Sequence, residues 1–160
     1  MPASVSSRGR DRKAPERKRK EAPIHRMLDA NANRAGEGLR VAEDVLRFSL
    51  GNSRLSSEAR KIRHDISRHA SEIAPRRVLL ASRDSVGDPG AGRFSSSRPR
   101  TGLAGLLTAN FRRAQESVRV LEECSRLAGR TSLVRNLQAD RYALYTLEKK
   151  AGELLSRDRH

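Results

Sequence analysis

Two segments of the chain repeat one another. Residues 30–48 and 109–127 align without a gap, 79 positions apart, and about half of the aligned residues are identical. Solenoid proteins repeat about every 20–50 residues, so this longer spacing favours a duplicated unit of two helices. Two such hairpins, related by a pseudo-two-fold axis, predict an all-α fold that is a four-helix bundle.

Apolar residues recur at spacings of three and four in four stretches, which is the pattern of helices with one buried face. A stretch rich in Gly, Ser and Pro, residues 83–102, interrupts the pattern and predicts a loop. The predicted boundaries are a first hairpin over 24–74, a loop over 75–102 and a second hairpin over 103–155, all within one helical domain of residues 23–157.

The chain is 160 residues long and carries a formal net charge of +15, which attracts phosphate-bearing ligands of any kind. Residues 1–22 contain many basic residues and almost no large apolar side chains. Such a segment cannot bury enough surface to offset its ordering entropy, so a disordered basic tail is expected. Its Arg17–Lys20 run is either a solvated stretch or a non-specific tether for nucleic acid.

Composition excludes several classes of protein. Aromatic residues make up 3% of the chain and Trp is absent, which argues against an aromatic platform for single-stranded nucleic acid. A single cysteine, Cys124, excludes an intrachain disulfide framework and a thiolate zinc site; it is expected to be a buried small apolar residue. No run of about 20 apolar residues is present, so we expect a cytoplasmic protein without a membrane partner.

Polar residues fall on the apolar side of the repeated helices. At 100° per residue, Asn31 and Arg34 lie within the apolar arc, as do Asn110 and Arg113 in the second copy. Such groups must find partners. Either the two copies bond each other across the bundle axis, or Arg34 and Arg113 bind phosphate in a pocket where the Asn amides contact a heterocycle.

Carboxylates at two other places suggest further chemistry. Glu37 and its counterpart Glu116 border the Asn and Arg positions, where a carboxylate could bind magnesium or act as a general base. Asp84 and Asp88 lie in a Gly-rich loop that could approach a phosphate. The remaining charged residues of the repeat, Arg40, Glu43 and Asp44 with Arg119, Glu122 and Glu123, predict a salt-bridged solvated face.

Five separated motifs cover about residues 24–150 in order. They are Asp29-Ala30-Asn31-x-Asn33-Arg34-Ala35-x-Glu37-Gly38-Leu39-Arg40-Val41-x-Glu43-Asp44, Arg63-His64, Arg83-Asp84-x-x-x-Asp88-x-Gly90, Ala109-Asn110-x-x-Arg113-Ala114-Gln115-Glu116 and Arg141-Tyr142-x-Leu144-Tyr145-x-Leu147-Glu148. Together they resemble a thiamine-biosynthesis family. Its members include the all-helical domain that precedes the barrel of some thiamine-phosphate synthases and also occurs free-standing.

The resemblance implies a role in thiamine (vitamin B1) biosynthesis as a hydroxymethylpyrimidine-phosphate kinase. Such an enzyme uses ATP and Mg²⁺ to convert 4-amino-5-hydroxymethyl-2-methylpyrimidine phosphate to its pyrophosphate. The chain ends soon after the fourth predicted helix, so synthase activity itself is not expected.

The resemblance also implies roles for residues. Those expected to be catalytic are Arg34, Arg113, Glu37 and Asp84. Those expected to bind substrate or phosphate are Asn31, Asn110, Arg40, Arg63, Arg83, Arg119, Arg141 and Gly90. Magnesium is expected on Asp84 and Asp88, with Glu37 as a further candidate.

Two other functions remain open at this point. The protein could be a non-catalytic accessory protein that binds a thiamine intermediate or docks onto a separate thiamine-phosphate synthase. It could instead be a basic helical nucleic-acid-binding protein, whose affinity would fall steeply with salt. Consumption of ATP that depends on the pyrimidine substrate distinguishes the kinase from both.

Overall fold

The computed structural model describes residues 13–92, 99 and 101–157, and of residues 13–21 only the backbone. The predicted all-α class is confirmed, with four long helices packed together and one short helix. The helices are α1 (Lys13–Asp44), α2 (Ser53–Ile73), α3 (Arg76–Ala81), α4 (Gly102–Leu127) and α5 (Thr131–Arg157), and α1 continues into a π-helical turn over Val45–Ser49. Within these ranges, no helix is both long enough and apolar enough to cross a membrane.

The first helix begins earlier than the sequence pattern predicts. Residues 13–22, expected to belong to a disordered tail, form the start of α1. Lys, Arg, Glu and Ala are strong helix formers, and Pro15 lies in the first turn, where its missing N–H costs nothing. Residues 1–12 and the side chains of the Arg17–Lys20 run lie outside the part of the chain that the structure describes.

The segment predicted as a loop over 75–102 contains a helix. Pro75 precedes the six-residue helix α3, whose Leu79 is buried in the core. The helix packs against α1, so burial of Leu79 ties the start of the connection to the first hairpin. The loop that follows is described up to Gly92, and residues 93–98 and 100 lie outside the described ranges.

The four long helices form a closed ring. α1 packs against α2 and α4, and α5 packs against the same two helices from the opposite corner. The pair α1–α4 is especially close at Gly38, where a Cβ atom would lie 2.7 Å from the backbone oxygen of Asn110. Two hairpins therefore pack side by side, as predicted; that they arose by duplication remains a prediction from the sequence.

A buried polar pair joins α2 to α5. Nδ1 of His69 lies 2.7 Å from Oδ2 of Asp140, and both side chains are buried. Burial raises the pKa of the Asp140 carboxyl above its ordinary value, against the opposing effect of the hydrogen bond with His69. A polar contact of this kind favours one register of α2 against α5, because either group alone would be buried without a partner.

Candidate functional site

One exposed face of α1 lines two successive clefts. Arg26, Ala30, Asn33, Glu37 and Arg40 recur at spacings of four and three along the helix, and such residues lie on one face. The loop after α3 flanks the first half of this face, and helix α2 flanks the second half. We call the two sites the α1–α2 cleft and the loop cleft.

The α1–α2 cleft has a volume of about 670 Å³, which lies within the range of small-molecule sites. Its lining residues are Ala32, Asn33, Gly36, Glu37, Arg40 and Val41 from α1, with Arg63, His64 and Ser67 from α2. Two guanidinium groups and one carboxylate give this cleft a positive balance, and that balance favours ligands that carry phosphate.

A buried glutamate stands behind the two arginines of this cleft. The side chain of Glu43 is only 1% exposed, and Arg60 donates to its Oε1 at 2.8 Å. Arg63 donates to Oε2 from Nε at 3.3 Å and from Nη2 at 3.2 Å. Arg40 lies 3.6 Å from Oε1. We call these four residues the Glu43 cluster, in which three cations share one carboxylate.

The arginines keep Glu43 ionised. Burial alone would raise the pKa of its carboxyl, but the hydrogen bond from Arg60 and the positive charge of Arg63 outweigh burial and lower the pKa. A carboxylate held by several guanidinium groups stays charged well into acid. The cluster is therefore intact at neutral pH.

Stability should depend on the ionisation of Glu43 in acid. Its pKa is lower in the folded than in the unfolded chain, so its contribution is fully present above the ordinary value of 4.5 and is lost as the pH falls through the native pKa. We expect the difference in unfolding free energy between wild type and Glu43→Gln to shrink steadily below about pH 4.5. Urea titrations at several pH values measure this difference, and a gap that stays constant down to pH 2 would contradict the prediction.

A matching cluster occurs on the second hairpin. Glu122 is fully buried and contacts Arg119 at 3.0 Å, Arg126 at 3.7 Å and the Nε atom of Arg141. Here Nη1 of Arg141 also donates to the hydroxyl of Tyr145 at 2.9 Å. Glu122 and this hydroxyl together raise the pKa of Arg141. We call Glu122 and its three arginines the Glu122 cluster.

The sequence pattern misplaced these two glutamates. Glu43 and Glu122 were expected on a solvated face, and the structure buries both. The reason is that α1 is flanked by α2 as well as α4, so its buried face is wider than its apolar arc and extends to Glu43. The sequence did contain one sign of this burial, an arginine on the second helix of each hairpin. It is Arg63 in the first hairpin and Arg141 in the second.

The polar residues predicted to face the core lie elsewhere or bond locally. Arg34 and Arg113 are exposed, so their predicted place within the apolar face is wrong. Asn31 donates from Nδ2 to the carbonyl of Met27 at 2.8 Å, and Asn110 donates to that of Leu106 at the same distance. Each amide thus bonds to its own helix rather than across the bundle.

The loop cleft is built from opposite charges. Arg83 makes two hydrogen bonds to the carboxylate of Asp29, one of them 2.9 Å from Nη2 to Oδ1. Arg26 lies 3.8 Å from Oδ2 of Asp84 and 3.7 Å from Oδ2 of Asp88. These residues line a volume of about 180 Å³, in which three carboxylates face two guanidinium groups.

The predicted magnesium ligands do not fit a cation as they are arranged here. Arg26 lies beside the carboxylates of both Asp84 and Asp88. Asp88 also accepts the N–H of Gly90 at 2.7 Å, so the predicted phosphate donor Gly90 is already bonded. In the described ranges, no three His, Cys, Asp or Glu residues come together as metal ligands would. Glu37 is the predicted carboxylate that lines the α1–α2 cleft.

Apart from Asn31 and Arg34, the predicted site residues fall into three groups. Glu37, Arg40 and Arg63 line the α1–α2 cleft, together with His64 of the Arg63-His64 motif. Arg83, Asp84, Asp88 and Gly90 belong to the adjoining loop. Asn110, Arg113, Arg119 and Arg141 lie on α4 and α5. Their predicted roles, catalytic for Arg113 and binding for the other three, remain predictions.

Comparison with known proteins gives the family. Residues 26–150 match the ThiD2 family. The chain is 37% identical over 139 residues to a thiamine-phosphate synthase of Nostoc punctiforme, covering 86% of this chain and 37% of that protein. It is 40% identical over 127 residues to one of Thermosynechococcus vestitus, covering 79% of this chain and 34% of that protein.

A thiamine-phosphate synthase of Rhodopirellula baltica is 37% identical over 145 residues, which cover 85% of this chain and 37% of that protein. The chain thus spans somewhat more than a third of the length of the curated relatives it matches. No solved structure gives a significant match. The match to the family profile covers most of the chain and includes all five motifs, and the chain therefore belongs to the ThiD2 family.

Proposed function

We propose that this protein is a phosphotransferase of thiamine biosynthesis that moves the terminal phosphoryl group of ATP onto hydroxymethylpyrimidine phosphate. The observation that carries this proposal is the pair of adjoining clefts on one face of α1. The relatives are thiamine-phosphate synthases by name, which supports the same pathway. The products would be ADP and the pyrimidine pyrophosphate.

The charges of the two clefts suit different parts of the substrates. The α1–α2 cleft has an excess of positive charge from Arg40 and Arg63. One guanidinium group can donate two parallel hydrogen bonds to the oxygens of a phosphate. The loop cleft has an excess of negative charge, which disfavours phosphates. Its carboxylates suit the amino group of an aminopyrimidine, which donates hydrogen bonds. We therefore assign phosphates to the α1–α2 cleft and the pyrimidine ring to the loop cleft.

The short distance between the two clefts also suits a reaction between two bound molecules. Ala30 lines one cleft and Asn33 the other. Three residues of an α-helix rise about 5 Å, so the edges of the clefts meet. Phosphoryl transfer depends mainly on positioning and charge neutralisation, and two clefts that share one helix supply the first of these.

Magnesium fits this site only in part. Mg²⁺ usually binds through one or two carboxylates together with substrate phosphates, and Glu37 is the residue that would hold it in the α1–α2 cleft. When bound, the ion would neutralise negative charge on the transferred group. Arg40 and Arg63 would orient the phosphate oxygens independently of the metal.

The direct test is ADP release by the purified protein with Mg²⁺, ATP and hydroxymethylpyrimidine phosphate. We expect turnover with the monophosphate and only background release with the unphosphorylated pyrimidine or without pyrimidine. Equal ADP release under all three conditions would show a non-specific ATPase and contradict the proposal. Product identity is checked by ³¹P NMR, in which the pyrimidine pyrophosphate gives two coupled signals.

A second candidate function is that of an accessory protein for a separate thiamine-phosphate synthase. It is favoured by the names of the relatives, which are thiamine-phosphate synthases. In that case the pyrimidine phosphate should protect the protein against heat without any turnover. Co-purification with a thiamine-phosphate synthase would support this alternative, because a protein that acts only as a kinase is not expected to co-purify with one.

A further inference from the structure

We propose that Glu43 is a positioning residue that presents Arg40 and Arg63 to the triphosphate of the nucleotide, and that the Glu43 cluster rather than the Glu122 cluster serves a ligand. The inference rests on the proposed function, because it assigns the nucleotide phosphates to the α1–α2 cleft. The helical pattern of the sequence placed Glu43 on a solvated face, and no functional role was assigned to it.

Glu43 acts through its neighbours rather than by contact with substrate. Its side chain is 1% exposed, so a ligand in the cleft cannot reach the carboxylate. Its two oxygens instead receive Arg60 and Arg63, with Arg40 at 3.6 Å. Without this negative charge the three guanidinium groups would repel one another, and the two that line the cleft would lose their common anchor.

The cluster leaves positive charge available to a ligand. Three arginines surround one carboxylate, so the cluster keeps an excess of two positive charges. Arg63 directs Nε and Nη2 toward Glu43, which leaves Nη1 of its planar fork. The side chain of Arg40 is 53% exposed within the cleft lining. This excess charge is what a triphosphate requires.

The Glu122 cluster differs at the equivalent place. The guanidinium group of Arg141 lies 5.5 Å from the ring centre of Tyr142 and 5.6 Å from that of Tyr145, and it also bonds the Tyr145 hydroxyl. In the first hairpin the corresponding residues are His64 and Ser67, both of which line the cleft. Two aromatic rings thus occupy the space that is open beside Arg63.

Matched substitutions test the proposal. Glu43→Gln and Glu122→Gln each remove one buried charge and keep the shape of the side chain, so both should lower the melting temperature. Only Glu43→Gln should raise KM for ATP, by about tenfold or more, because aligned charge-assisted hydrogen bonds are lost. KM for the pyrimidine phosphate should stay within about threefold. Glu43→Asp, which keeps the charge, should recover part of the loss.

Two results would overturn the proposal: an unchanged KM for ATP in Glu43→Gln, or an equal rise in Glu122→Gln. If Glu43→Gln does not fold, Glu43→Asp replaces it, and a smaller rise in KM for ATP with an unchanged KM for the pyrimidine phosphate is expected. If the wild type shows no turnover, the proposed function fails. Calorimetric titration with Mg·ATP then tests this inference alone, which is overturned if the wild type and Glu43→Gln bind equally or neither binds.

Discussion

Gly38→Ala should lower the free energy of unfolding by about 2–3 kcal/mol. The new Cβ atom would lie 2.7 Å from the carbonyl oxygen of Asn110, which is backbone in the middle of α4. A flexible side chain could rotate away, but this oxygen moves only if α1 and α4 separate. That separation would loosen the core contacts between the two hairpins. Urea unfolding followed by circular dichroism measures the loss.

Gly36→Ala is the matched control, since Gly36 lies in the same helix and a Cβ atom there would meet nothing within 4 Å. At an open helical position, alanine stabilises the folded protein by about 0.5–1 kcal/mol relative to glycine. This variant should therefore be more stable than the wild type. If both variants shift stability in the same direction and by similar amounts, the close approach of α1 and α4 is wrong.

Arg63→Ala should reduce kcat/KM for ATP by about 100-fold or more, which corresponds to about 3 kcal/mol of transition-state binding. Arg63 lines the α1–α2 cleft, is only 17% exposed and is held by two hydrogen bonds to Glu43. A guanidinium fixed in this way binds phosphate without first losing side-chain entropy. Arg63→Lys should recover only a small part of the activity, because an ammonium group cannot reproduce the planar fork.

The control for this prediction is Arg60→Ala. Arg60 bonds the same carboxylate at 2.8 Å but is not among the residues that line the cleft. Both variants take one partner from a buried charge and should therefore lose stability. Only Arg63→Ala should lose most of its activity. Equal losses of kcat/KM in the two variants would contradict a phosphate contact that Arg63 makes and Arg60 does not.

The helices could be predicted because their apolar residues repeat at helical spacing. The second hairpin, predicted over 103–155, is observed as α4 (Gly102–Leu127) and α5 (Thr131–Arg157). The early start of α1 escaped prediction, since a highly charged segment gives no apolar period. Its helix depends on local propensity and on continuity with the packed residues that follow.

The site was harder to predict because burial depends on neighbours that a single helix does not reveal. Placing residues around α1 put Arg34 inside and Glu43 outside, and the structure has the reverse. The apolar arc marks the contact with one helix, but a corner helix in a ring contacts two. The second contact can be made by charged side chains when the partner helix supplies arginines, as Arg63 does.

The arrangement of the loop after α3 could not be predicted from the loop itself. Asp84 and Asp88 look like metal ligands when the loop is read alone. In the fold, Arg26 of α1 lies beside both carboxylates, although it is 58 residues from Asp84 along the chain. Only the tertiary contact reveals that a guanidinium group of the chain already lies beside these two carboxylates.

The π-helical turn at the end of α1 could lose one residue without disturbing the rest of the hairpin. Val45–Ser49 contains a backbone bond from the N–H of Leu50 to the carbonyl of Val45, one residue wider than an α-helical turn. Removing one residue there would convert the π-helical turn into an α-helical turn. Removing one residue earlier, between Arg26 and Arg40, would rotate the rest of the face by about 100°. A one-residue deletion is thus expected to be tolerated in the π-helical turn and not in the part of α1 that carries the clefts.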